Sequence, residues 1–464
     1  MQKIIYLLAL VLLSGAMFVS CDKDENENDI EVEIEKSNPV VNSNEIIGNK
    51  LKLTWSHDTE VEGMQYSLKL NDSIYENPYK TFTKELEYDT RYEVEIIALY
   101  PNEEATSANI NFTTPKSNIL FFSTWAGTLY AIDLYSKEVI WQQDGVNSGY
   151  NTPHLIHNNQ LISPLHNIRA FDIYTGEVNW TIQPYSNFNS GWTSVLEGDI
   201  LYIGEYNQDK TIAIDISTQE TLWQSYSEGD HIVIGDNIYV TNGFSAPDLI
   251  AIDKETGINL WSFNLDPEST SAAPNISSQP VLYENSLFFG DNIGRIYSVN
   301  ATNGVKNWSK DMGLFEESSG APVIYNDNLI IPIENKVYSI NISTADINWI
   351  NSSIPGIIYS SPFIYENKLI LSSYDNGSSY VFVIDSDSGN LIWKKEFEGG
   401  IRSSPIVYDE TIFIGSWNKE FYAIDLTDGE IIWQRTTDER ISNSAVIVIG
   451  AGEKIIYPNN CGMI

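Results

Sequence analysis

Residues able to do chemistry are unevenly placed along the 464-residue chain. Three of the five histidines, His154, His157 and His166, stand close together in the sequence. A His-x-x-His pair such as His154/His157 can offer two imidazole nitrogens to a zinc ion, which takes four nitrogen, sulfur or carboxylate ligands. No third ligand follows at a compelling spacing, so the expectation is polar contacts at strand edges or in a funnel, and no metal site. Carboxylates are everywhere: Asp and Glu number 63 against 26 Lys and Arg, a formal net charge of −37. In so acidic a chain, pairs of carboxylates carry no information about glycosidase chemistry. The sequence holds no Gly-x-Ser-x-Gly elbow, P-loop or zincin motif. No catalytic residue is therefore expected. The charge also argues against nucleic acid, whose phosphates need a Lys/Arg surplus, and suits a soluble, self-repelling exterior.

Only two cysteines occur, Cys21 and Cys461. Residues 1–20, MQKIIYLLALVLLSGAMFVS, carry Lys3, an apolar run and then small residues, the pattern of a secretory signal. The run is too short and poorly flanked for a spanning helix. Its end, Phe18-Val19-Ser20-Cys21, resembles a bacterial lipobox, which implies lipidation at Cys21 and anchoring by several acyl chains. Cys461 is then left without an intramolecular partner, and no disulfide framework is expected. Residues 21–36 are charged and apolar-poor, as a solvated tether should be. Lys23-Asp24-Glu25 resembles the export tags of surface lipoproteins in some Gram-negative bacteria. The expected address is the outer membrane, through the lipid anchor only, either displayed on the cell surface or facing the periplasm.

The elements that would carry any site are strands. In residues 37–115, Leu51-Lys52-Leu53-Thr54-Trp55 and Tyr66-Ser67-Leu68-Lys69-Leu70 alternate apolar and polar residues, as half-buried strands do. Thr90-Arg91-Tyr92-Glu93-Val94-Glu95-Ile96-Ile97-Ala98 repeats the pattern. This segment resembles a fibronectin type III sandwich, which implies that Trp55 sits in the core and that Tyr92 forms a corner by hydrogen bonding to nearby backbone.

From residue 118 a different order begins. Eight tryptophans, Trp141, Trp180, Trp223, Trp261, Trp308, Trp349, Trp393 and Trp433, recur about every 42 residues. Each follows an Asp or Asn by eight residues: Asp133, Asp172, Asp215, Asp253, Asn300, Asn341, Asp385 and Asp425. Such a period signals a repeat architecture. Within each unit lie short alternating runs, such as Thr411-Ile412-Phe413-Ile414, broken by Gly, Asn or Asp, with no helical period. An Asp or Asn at a strand end accepts bonds from amides two or three residues on. Gly176, Gly257, Gly304, Gly389 and Gly429 occupy the turn that follows, where positive φ is tolerated. Small residues precede the acid, and each Trp can bury roughly 150–250 Å².

The unit resembles the tryptophan-docking motif A-x-D-x-x-T-G-x-x-x-W of the pyrroloquinoline-quinone (PQQ) repeat superfamily. The resemblance covers residues 118–457 and implies an all-β fold: an eight-bladed β-propeller preceded by the fibronectin type III-like β-sandwich. It further implies that each Trp stacks on the Gly turn of the next blade. Lys137, Gln219 and Ala345 stand where that Gly should be, so those joints should be looser or compensated. The first unit lacks an initial strand, and the C-terminal strand near 446–449 is expected to complete it and close the ring.

Quinoprotein dehydrogenases of this superfamily imply adjacent cysteines, a Ca²⁺ site and a catalytic Asp. Cys21 and Cys461 cannot supply the first, and the recurring aspartates are explained by turns, so no cofactor is expected. Within the superfamily the chain is similar to the propeller lipoproteins of the outer-membrane barrel-assembly machinery, which implies a protein partner. A glycan is the competing ligand class, and PQQ-dependent catalysis is third. Three tryptophans break the repeat besides Trp55: Trp125, Trp192 and Trp417. Closure would bring the turns of Trp125 and Trp417 side by side, as interblade packing or as a binding face. Arg402, before Ser403-Ser404-Pro405, is a further candidate, lining the funnel.

Overall fold

A computed structural model describes residues 37–458, excepting 48–49, 77–78, 88–89, 102–103, 115–116, 146–153, 165–166, 183–189, 206–209, 227–230, 243–246, 267–273, 314–319, 442 and 453. The signal, the tether, Cys21, Cys461, His166 and the side chain of Trp192 lie outside the described residues.

Alternating residues in the first segment build two facing sheets. Val40–Ile47, Lys50–Ser56 and Thr81–Glu85 form one, and Ser73–Glu76, Gln65–Leu70, Arg91–Leu99 and Ala105–Thr113 form the other. In Arg91–Leu99 the side chains of Tyr92, Val94, Ile96 and Ala98 turn inward, and the residues between them face out. Trp55 is buried and meets Tyr66 edge-on, with ring centroids 6.4 Å apart. The Glu87 N–H donates to Tyr92 Oη at 2.9 Å, tying the ring to the backbone five residues upstream.

Eight antiparallel sheets follow, seven of them made of four strands consecutive in the chain. Their second and third strands are buried on both faces, so they read as continuous apolar runs rather than alternations. Ile119–Ser123 and Leu129–Asp133 are examples in which every residue is buried. Outer strands such as Leu391–Glu398 keep one side in water. The first sheet is assembled from both ends of the segment, because Val446–Ile449 pairs with Ile119–Ser123 in the register Val446↔Phe121, Ile447↔Leu120, Val448↔Ile119. Lys454–Ile456 then adds a fifth strand to it. Radial repetition leaves each sheet only a short inner edge, and Val446–Ile449 covers the one that Ile119–Ser123 would otherwise expose.

The joints between sheets account for the recurring residues. All eight Asp or Asn side chains accept backbone N–H groups from the turn, as Asp133 does from Tyr135 and Ser136 at 2.9 and 2.7 Å. Six of the indoles donate Nε1–H to the carbonyl just after that residue in the following sheet: Trp141 to Ile173, Trp223 to Lys254, Trp261 to Ala301, Trp308 to Ile342, Trp349 to Ser386 and Trp393 to Leu426. Where the turn has Gly, the ring lies on it: Gly176 under Trp141, Gly257 under Trp223, Gly304 under Trp261, Gly389 under Trp349 and Gly429 under Trp393.

A bulge recurs with the motif. In every one of the eight sheets the pairing skips the residue immediately before the Trp, so that Trp faces Ala131, Ala170, Ala213, Ala251, Ser298, Ser339, Val383 or Ala423 across the ladder. An extra residue bends a strand and re-aims the side chain after it. The residue opposite the Trp is small in seven sheets and Val in one, which leaves room for the indole.

The three positions without Gly keep the left-handed backbone, at φ 62° for Lys137 and Gln219 and 60° for Ala345. The Ala345 joint retains its Trp308 bond at 2.8 Å. At the Gln219 joint Trp180 donates instead to Gln160 Oε1 within its own sheet, at 3.0 Å. At the closing joint the Lys137 ammonium donates to the Leu134 carbonyl, the acceptor that an indole takes elsewhere, and lies 5.2 Å from the centre of the Phe413 ring in the eighth sheet. Burial lowers the Lys137 pKa, against the pull of Asp133 and Asp409.

Candidate binding face

In an up-and-down sheet the turns between second and third strands leave by the same end as the connections that enter the next sheet. Trp417 and Trp125 lie in such turns of the eighth and first sheets, and Tyr374 lies at the same end of the seventh, one residue before the close of its second strand Lys368–Asp375. Tyr359, Arg402 and Arg440 lie in the connections that enter those sheets. Backbone bonds clip turn to connection: Trp417 N–H to the Gly400 carbonyl at 2.7 Å, Trp125 N–H to the Arg440 carbonyl at 2.8 Å, and Ile441 N–H to the Ser416 carbonyl at 2.8 Å.

The side chains stack in the same order. Arg402 Cζ stands 4.4 Å from the Tyr359 ring centre, 5.8 Å from that of Tyr374 and 4.2 Å from that of Trp417. Arg440 Cζ stands 5.0 Å from Trp417 and 4.3 Å from Trp125. Trp125 and Trp417 are thus neighbours through a guanidinium rather than through each other. Arg402 is a layer of this stack, held between Tyr359 and Trp417. All six side chains are half-buried. A planar cation over an aromatic face gains from the ring quadrupole, more so when water is displaced.

The carboxylates near the stack are engaged elsewhere. Glu439 pairs with Lys419 at 3.6 Å, and the Arg440 backbone N–H is the main cause that holds its carboxyl below the usual range. Asp438 lies 2.8 Å from Thr128 Oγ1 and 3.5 Å from Tyr130 Oη, each hydroxyl placed to donate to it. Among the described residues neither Arg402 nor Arg440 has a carboxylate within 4.0 Å or a side-chain hydrogen bond, and Arg402 Nε and Trp417 Nε1 are buried without an acceptor.

Serines of the repeated Ser-Ser-Pro hold the frame beneath. Ser360 and Ser403 accept from Ser372 and Gly415 in their own sheets, at 2.9 and 3.0 Å. The second serine of each pair reaches back one sheet, Ser361 Oγ accepting from Ala321 and Ser404 Oγ from Ser361, both at 3.0 Å; Ser444, in Asn443-Ser444-Ala445, accepts likewise from Ser404 at 2.9 Å.

The histidines part company. His154 is buried with Nε2 3.0 Å from Ser123 Oγ, and burial drops its pKa to about 4. Asn443 Nδ2 donates to the same Ser123 Oγ at 2.9 Å. His157 turns outward to Asp199 at 2.7 Å. The pair does not converge, and among the described residues no three His, Cys, Asp or Glu side chains gather as a metal site would require.

Arg440, Tyr359 and Tyr374 did not stand out in the sequence. Arg440 and Arg402 are two of six arginines and enter successive sheets. That shared place before the inner strand is the signal that links them.

A family model described as outer membrane protein assembly factor BamB matches residues 98–231 and 208–435. The BamB of Legionella pneumophila (strain Paris) is 22% identical over 188 residues, 39% of this chain and 47% of that protein. Tetrathionate hydrolase of Acidithiobacillus ferrooxidans is 22% identical over 293 residues, 52% of this chain and 56% of that protein. The chain spans about half the length of these curated relatives. The crystal structure of BamB from Moraxella catarrhalis superposes with a TM-score of 0.55 at 15% identity, over 67% of this chain and 96% of that one, a likeness of β-propeller fold.

Proposed function

The chain belongs to the outer membrane protein assembly factor BamB family, and we propose that it is a non-catalytic, lipid-anchored outer-membrane scaffold that binds a protein partner. In this reading Cys21 carries the lipid, residues 21–36 form the tether, a fibronectin type III-like sandwich acts as spacer, and an eight-bladed propeller presents the face of Trp125, Arg402, Trp417 and Arg440.

One observation carries the reading. The recurring acids and six of the indoles are engaged in turns and joints by hydrogen bonds, and a seventh, Trp180, bonds within its own sheet, whereas the stack of Arg402, Trp417, Arg440 and Trp125 is half-exposed with its terminal guanidinium nitrogens unengaged among the described residues. Half-exposed tryptophan and arginine are the residues on which protein interfaces most often depend. Capture from solubilised outer membrane, with the full chain as bait, tests this. One defined partner should be retained and should be lost when Trp125 and Trp417 are both changed to Ala with an unaltered melting temperature. Retention unaffected by the double change, or capture on immobilised glycan in place of a protein, would overturn it.

A further inference from the structure

We propose that Arg402 and Arg440 form a carboxylate-recognition site whose occupant is an acidic stretch of a partner polypeptide. The proposal rests on the scaffold reading for the existence of that partner.

Three observations carry it. First, both cations are placed and neither has a carboxylate within 4.0 Å among the described residues, Glu439 acting on the Arg440 guanidinium only through space. Each guanidinium is held within 5.0 Å of the Trp417 ring centre, and the nearby Glu439 and Asp438 are bound to Lys419 and to Thr128. An unpaired arginine pair is unexpected in a chain of net charge −37, where carboxylates outnumber cations more than twofold.

Second, the unmet capacity is all of one kind. The terminal guanidinium nitrogens have no partner among the described residues, while Arg402 Nε and Trp417 Nε1, also donors without acceptors, are themselves buried. A ligand that matches them must bring acceptors and negative charge. Carboxylates do both, and they meet the edge of a guanidinium in a planar, two-bonded fork. Aromatic ring centres lie 4.2–5.0 Å from the two Cζ atoms and Arg402 Nε is buried, so the terminal nitrogens are the groups left for a ligand. Stacking has already removed much of their hydration and their rotamer freedom, which lowers the cost of binding.

Third, the two cations are separated by one indole, in order around the ring. That suits side chains spaced along an extended segment better than one small anion. Aliphatic or aromatic residues between the acids would lie against Trp417 and Trp125.

Fluorescence anisotropy on the full chain at physiological salt tests the proposal, with a labelled peptide of alternating Glu and Ser as probe. Saturable binding is expected, at least about tenfold weaker for the Gln counterpart and for R402Q or R440Q, since each removes charge-assisted bonds. R402K and R440K, which keep the charge and lose the fork, should fall between. Equal binding of the Gln peptide, or binding unchanged in the R402Q/R440Q double variant, overturns the site. So does competition by inorganic pyrophosphate or phosphatidylglycerol vesicles as strong as by the Glu peptide, which would make it a general anion patch. Loss of melting temperature in R402Q and R440Q with no peptide bound by the unaltered chain would assign the stack to packing alone. The two readings fail separately. A native partner lost in the Trp double variant but kept in R402Q/R440Q sinks the carboxylate site only. Glu-peptide binding that depends on both arginines, with no partner at the outer membrane, supports the site and sinks the scaffold.

Discussion

Gly389 lies flat under the indole of Trp349: a Cβ on this residue would stand 2.5 Å from Trp349 Cε3, at a backbone φ of +73°. No L-residue fits there without moving the ring. Ala345 holds the same turn position under Trp308 with φ 60°, yet keeps the Trp308 bond to Ile342. Gly389→Ala should therefore destabilise the chain by about 2 kcal/mol, from left-handed strain and crowding together. Ala345→Gly should gain up to about 1 kcal/mol by releasing that strain. Urea midpoints of the two variants check the opposite signs; shifts in the same direction would reject the docking argument.

Ring closure depends on one short strand. Val446, Ile447 and Val448 are wholly buried against the first sheet. Ser444 and Asn443 tie the approach to Ser404 and Ser123. Burying three such side chains is worth about 6 kcal/mol, most of the stability of an ordinary domain. A chain ending at residue 440 should melt far below the full chain. Thermal unfolding followed by circular dichroism reads this directly, and an unaltered melt of the shorter chain would show that the ring does not need the strand.

The tryptophan period made the repeated sheets legible, because each unit must bury the same indole on the same turn. The bulge before every Trp was not legible: it comes from cross-strand register, and residues such as Leu260 and Ile392 look like ordinary strand positions in the sequence. Trp125 and Trp417 stood out because they break the repeat. Their link through Arg440 depends on sheets that are joined only when Val446–Ile449 closes the ring, a contact between distant parts of the chain. His154 and His157 looked like a pair by spacing. In an extended strand the residue three places on faces the opposite side, so one is buried and the other meets Asp199.

Quinone chemistry gives a sharp expectation. The superfamily's dehydrogenases imply adjacent cysteines beneath the cofactor, and the two cysteines here, Cys21 and Cys461, are at opposite ends of the chain. The recurring aspartates hold turn amides. Titration of the full chain with pyrroloquinoline quinone and Ca²⁺, followed by quinone absorbance and tryptophan fluorescence, should give no saturable binding in the micromolar range. Saturation there would return the enzyme reading.

His154 should make part of the stability depend on acid, with a sign that follows from its burial. Its folded pKa lies at about 4 because burial disfavours the imidazolium, while an unfolded histidine titrates near 6.5. Between those values the unfolded chain takes up a proton that the folded chain refuses. This contribution is therefore intact above about pH 6.5 and lost as the pH falls toward 4, by about 3 kcal/mol in all. Asp291 opposes it. Burial is the main cause that pushes that carboxyl up to about 6, so the folded chain gains stability as the pH falls through the same window. The acid profile of the unaltered chain sums both effects and those of the surface carboxylates, so only a difference isolates the histidine. His154→Gln keeps a polar partner for Ser123 and cannot charge. The stability of the unaltered chain minus that of His154→Gln should decline from pH 7 to pH 4, and the matching difference for Asp291→Asn should rise. Denaturant unfolding at a series of pH values measures both, and parallel profiles for the unaltered chain and His154→Gln would show that His154 is not held neutral.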